Sequence, residues 1–67
     1  MNVASAARRV LAEFQEMPGM ALTRRQASKF FGLDESVCGL VLDMLVDAAY
    51  LRETIAGRLT CVDGRRA

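Results

Sequence analysis

The sequence has no histidine, one proline and two cysteines among 67 residues. Each scarcity excludes something. Histidine is the one side chain whose ordinary pKa lies near neutrality, so its absence removes the usual general acid–base. Two cysteines without histidine cannot complete a tetrahedral zinc site. Cys38 and Cys61 stand among apolar residues and read as small buried hydrophobes in a reducing cytosol, a disulfide being the lesser reading. There is no nucleophile–base pair, no glycine-rich phosphate loop and no carboxylate pair in a cleft. Asp43 and Asp47 lie four apart, as metal ligands on one helix face can, but they read as solvated helix charges. A chain this short is also expected to lack a ligand pocket of the usual few hundred cubic ångströms. The sequence therefore points away from an enzyme and calls for no cofactor, metal or small-molecule ligand. Long apolar runs are missing too: none approaches the roughly 18 residues of a membrane span. The opening MNVASAARRV has no apolar signal-peptide core. These features predict a cytoplasmic protein with no membrane contact.

What the chain does have is apolar content, 52% of its residues, at or above the usual share of roughly 45–50%. A domain of this size buries only about 60% of its unfolded surface. The surplus either compensates for a thin core or supplies an apolar surface for a partner. Net charge is +1, with no global pull toward a polyanion. Its distribution is uneven: Thr23–Phe31 carries +3 (Arg24, Arg25, Lys29), and Gly32–Ala49 carries −4 (Asp34, Glu35, Asp43, Asp47). Tyr50–Ala67 carries +2.

Hydrophobic spacing predicts one domain of three helices and a hairpin. Val3, Ala7, Val10, Phe14 and Met17 make an apolar stripe over about 3–17. Asn2 or Ser5 can cap it, and Pro18-Gly19 ends it, with Gly19 as the left-handed cap. Met20-Ala21-Leu22 approaches a second helix over about 24–31, where Thr23 and Gln26 match a capping box. Ala27, Phe30 and Phe31 are its expected buried side. Gly32-Leu33-Asp34 reads as a tight turn, with Gly32 left-handed, Leu33 tucked inward and Asp34 capping a third helix over about 35–49. On that helix Cys38, Val41, Leu45 and Ala49 point one way, and Ser36, Gly39, Asp43 and Asp47 the other. Leu40, Leu42, Met44 and Val46 fall on the flanks, giving an apolar arc wider than one core contact needs. The period then changes. Tyr50–Ile55 and Arg58–Val62, joined by a two-residue turn Ala56-Gly57, predict a hairpin over about 50–62 with Leu51, Leu59 and Cys61 inward. A frayed polar tail is expected over 63–67.

This order resembles the winged helix-turn-helix family: mainly α, three helices followed by a two-stranded wing. The resemblance runs over Leu22–Val62. It is carried by Leu22-Thr23 and Gln26-Ala27, by Phe31-Gly32-Leu33-Asp34, by the run from Val41 to Arg52, and by Gly57-Arg58. Met1–Met17 fits the family's first helix. The resemblance implies a DNA-binding, transcriptional-regulator-type protein, with double-stranded DNA as partner and a homodimer as the working form. It puts Ser36, Val37, Leu40, Asp43, Met44 and Asp47 toward the major groove, Arg52 and Arg58 on the wing, and Arg24, Arg25 and Lys29 near phosphates. With Arg65 and Arg66 these cations are expected to form one basic rim.

Two residues types depart from the family pattern. Base reading uses Arg, Lys, Asn or Gln, and the third helix has none of them. Ala49 stands where the family has glycine; a left-handed alanine costs about 1 kcal/mol, so a turn of slightly different shape is expected. The alternative function is therefore a protein-interaction or oligomerisation module using Leu40, Met44 and Val46.

Overall fold

A computed structural model describes residues 2–62. The expected tail over 63–67, with Arg65 and Arg66, lies outside the described residues. The elements run α1 (Val3–Glu16), β1 (Leu22–Thr23), α2 (Arg24–Phe31), α3 (Glu35–Asp47), β2 (Leu51–Glu53) and β3 (Arg58–Cys61). The molecule is mainly helical, with a small antiparallel sheet in the order β1-β3-β2. The sheet has three strands rather than two. Leu22 pairs with Leu59 and Thr23 with Arg58, while Leu51, Arg52 and Glu53 pair with Cys61, Thr60 and Leu59. The approach to α2 is thus itself a strand, which satisfies backbone groups along the outer edge of β3.

Helix ends follow from local chemistry. Asn2 caps α1 by accepting from the Ala4 and Ser5 backbone N–H groups at 2.8 and 3.3 Å. The helix ends at Glu16, with Met17 as its cap, and Gly19 is not in the left-handed region. Pro18 suffices to stop it. The capping box of α2 is complete: the Gln26 N–H donates to the Thr23 hydroxyl, and the Thr23 N–H to the Gln26 side chain. Gly32 takes φ 67°, and the Gly32 and Leu33 N–H groups return to the Lys29 and Ser28 carbonyls. That pair of bonds is a Schellman turn. Buried Ser28 reinforces it by donating its hydroxyl to the Leu33 carbonyl at 2.6 Å. Asp34 then caps α3 by accepting from the Ser36 N–H.

The same turn recurs after α3. The Ala49 N–H bonds to the Val46 carbonyl and the Tyr50 N–H to the Leu45 carbonyl, both at 2.9 Å, and Ala49 has φ 66°. The expectation of a differently shaped turn is corrected: alanine occupies the left-handed position itself. The third helix therefore stops at Asp47 rather than 49, and Ala49 leaves the core face. Leu42 takes a core place instead of a flank place and is fully buried.

The core joins all three helices to the sheet: Val10 and Phe14 from α1, Ala27 and Phe31 from α2, Cys38, Val41 and Leu42 from α3, and Leu51 and Leu59 from the strands. The Phe14 and Phe31 rings lie 6.0 Å apart. Phe30, expected inside, is half-exposed and meets the Phe31 ring edge-on at 5.0 Å. Cys38 is buried and Cys61 half-buried, both as free thiols, and burial pushes the Cys38 thiol pKa up. The hairpin turns through three residues, not two. Thr54 and Arg58 close it by a backbone bond of 2.8 Å, around Ile55-Ala56-Gly57, with Gly57 at φ 82°. A left-handed glycine at the end of a three-residue loop is a common hairpin solution.

Ala49→Gly is expected to stabilise the domain. The left-handed penalty of about 1–2 kcal/mol for alanine is partly offset by glycine's freer unfolded chain, about 0.5–1 kcal/mol. The remainder corresponds to a rise in Tm of about 4 °C for a domain this small, readable by circular-dichroism melting. An unchanged or lower Tm contradicts this account of the turn.

Candidate functional site

The sequence-predicted site residues lie on four parts of the fold, and Arg65 and Arg66 of the expected rim lie outside the described residues. The first is at the junction of α2, α3 and the hairpin. Arg24 opens α2, directly after the β1 residue Thr23, so the β1–β3 pairing carries it to the hairpin. Its Nη2 lies 2.9 Å from Asp43 Oδ1 on α3 and 3.1 Å from Glu53 Oε1 on β2. Its Nε also donates to Glu53 Oε2 at 3.3 Å, completing a two-point fork. The hydrogen bond to Glu53, then that to Asp43, hold the Arg24 pKa above its ordinary value against partial burial. This guanidinium is engaged within the protein rather than open to a partner.

The second group is the solvent ridge of α2. Arg25 and Lys29 are four residues apart, so they share one helix face, and both are exposed. Arg25 Nε is 4.0 Å from Glu35 Oε2, a loose pair at the surface. Lys29 has no ion pair among the described residues. Arg24, Arg25, Glu35 and Gly39 line a solvent-open cleft of about 310 Å³. A cleft of that volume was not expected for so short a chain; at Gly39 the space is open, and a Cβ there would meet no atom within 4 Å.

The third group lies on the hairpin. Leu51, Leu59 and Cys61 face the core, so Arg52, Arg58 and Thr60 face outward by strand alternation. Arg52 and Arg58 are exposed and form no ion pair among the described residues. Tyr50 joins this side. The Val62 N–H bonds to the Tyr50 carbonyl, extending the ladder by one step, and Tyr50 as a whole is 51% exposed.

The fourth group is α3. Ser36 is exposed in its first turn. Leu40 and Met44 are 52% and 42% exposed. Val46 differs from them, being half-buried against the core. Glu53 and Tyr50 are the two site residues that the sequence reading missed. Strand alternation carried a signal for both, since it puts Glu53 on the side of Leu51 and Tyr50 on the side of Arg52.

Among the described residues no three acidic or cysteine side chains converge as a metal site. No helix there is long and apolar enough to cross a membrane. No family model, curated protein or solved structure matches the chain.

Exposed ion pairs contribute about 0.2–1 kcal/mol each, and the three partners here are all at least a third exposed. Asp43→Asn and Glu53→Gln are each expected to lower unfolding stability by less than about 1 kcal/mol in urea titrations. A loss of several kcal/mol from either change refutes the surface assignment.

Proposed function

We propose that the chain is a winged helix-turn-helix domain that binds DNA in a regulator-type role, holding phosphates with its hairpin and second helix rather than reading bases with its third. Several features support the fold reading: the tight α2–α3 turn, the strand that precedes α2 and pairs with β3, and the hairpin after α3 as the wing. The observation that carries the functional reading is the pair Arg52 and Arg58, exposed on one sheet face and free of ion pairs among the described residues. Arg25 and Lys29 add a second cationic ridge. Arg24 does not belong to this set, because Asp43 and Glu53 occupy it. Asp43 and Asp47 on α3 oppose entry into a phosphate-lined groove.

Fluorescence anisotropy with a labelled duplex of mixed sequence tests the proposal. Four phosphate contacts give a salt slope near −3.6, so affinity is expected to fall about a hundred-fold between about 50 and 200 mM salt. Arg52→Glu combined with Arg58→Glu is expected to abolish most binding. No binding at the lower salt defeats the proposal.

A second reading, a protein-interaction or oligomerisation module, is favoured by Leu40 and Met44, which stand exposed one turn apart on α3. Exposed methionine and leucine beside charge suit a partner surface. Light scattering over a concentration series checks the self-association form: native protein is expected to gain mass with concentration, and Leu40→Glu with Met44→Glu to remain monomeric. A native protein that stays monomeric throughout removes it.

A further inference from the structure

We infer that the outer face of the three-stranded sheet is a docking surface for single-stranded nucleic acid. The inference rests on the nucleic-acid reading above and names the form of nucleic acid that this face fits. Strand register sorts the hairpin cleanly. Leu51, Glu53, Leu59 and Cys61 share the core-facing parity, and Arg52, Arg58 and Thr60 the outward one. The sorting also separates charge. Glu53, the acid nearest in sequence, sits on the inner side and is bound by Arg24. Among the described residues the outer face of the strands therefore carries two cations, the Thr60 hydroxyl, the Thr23 hydroxyl that caps α2, and no carboxylate. This is charge complementarity to a phosphodiester chain.

Spacing and aromatic content favour an unpaired strand over a duplex. Arg52 lies opposite Thr60, and Arg58 is two residues from Thr60 on the same strand. The two arginines are thus diagonal neighbours, roughly 7–8 Å apart at their origins, and can hold phosphates of one strand with the Thr60 hydroxyl between them. By strand parity Tyr50, opposite Val62, continues the same face, and the residue is half-exposed. An aromatic ring beside arginines stacks on the open face of an unpaired base, a face that a duplex keeps covered. A duplex would also have to accommodate α3, which contributes no cation of its own and whose exposed side carries Asp47, unpaired among the described residues, beside Asp43, already bound by Arg24. A flexible strand can cross the sheet without meeting that helix.

The test uses the whole chain with fluorescein-labelled oligo-dT of about 12 nucleotides, within the usual span of single-strand sites, and an unlabelled mixed duplex as competitor. Oligo-dT is expected to bind at low salt and to need a larger excess of duplex than of unlabelled oligo-dT for its displacement. Tyr50→Ala is expected to weaken binding roughly ten-fold, and Tyr50→Phe to restore it. Arg52→Ala with Arg58→Ala is expected to lower affinity and reduce the salt slope by about 1.4. Arg8→Ala with Arg9→Ala, two exposed cations on α1 outside the proposed binding surfaces, is expected to leave oligo-dT binding nearly unchanged. These side chains are exposed, and matching circular-dichroism melts confirm that the variants remain folded. If the duplex binds and oligo-dT does not, the inference falls and the proposed function stands. If neither binds, both fall. If oligo-dT binds but Tyr50→Ala has no effect, or the α1 variant weakens it as much as the hairpin variant, the sheet face is not the site.

Discussion

The structure depends on β3 being paired along both edges. Leu59 has Leu22 on one side and Glu53 on the other, and its side chain is fully buried. Without the β1 contact the hairpin would be a two-stranded ribbon, which is marginal in water on its own. With it, the start of α2 is fixed beside the hairpin, because Thr23 is at once the last β1 residue and the α2 cap. The position of Arg24 follows from this, and so does its meeting with Glu53 across 29 residues of sequence. One pairing sets both the architecture and the charge pattern of the surface.

That charge pattern divides the molecule into unlike faces. At the junction of α2, α3 and the hairpin, acids and Arg24 answer one another, leaving little field for a polyanion. On the outer sheet face and the α2 ridge, cations have weak partners or none among the described residues. A net charge of +1 conceals this separation. Long-range ion pairing inside the chain, rather than composition, decides which arginines are available.

The parts of this legible in the sequence were those with local causes. The capping box at Thr23 and Gln26 and the turn at Gly32-Leu33-Asp34 rest on residues within a few positions of each other, and both formed as read. The inward set Leu51, Leu59 and Cys61 followed from alternation alone. The missed features have non-local causes. Two residues, Leu22 and Thr23, carry no strand signal of their own and become a strand only because β3 presents an open edge. Phe30 and Leu42 exchanged their expected places because a wheel gives direction without saying how wide the neighbouring elements are. The engagement of Arg24 needed a contact that no local spacing encodes. Ala49 was singled out only as a departure from the family's glycine, since alanine itself gives no sign of a left-handed backbone.

The two Schellman turns that bracket α3 are made almost wholly of main-chain bonds, with the Ser28 hydroxyl as the one side-chain addition. The reversals before and after this helix therefore do not draw on its solvent-facing residues. Apart from Asp43, which binds Arg24, positions such as Ser36, Leu40, Met44 and Asp47 answer to no structural demand and are free to be rewritten. The domain is in this sense a frame with one blank side. Divergent copies could share its core and turns unchanged while presenting entirely different third-helix surfaces to their surroundings.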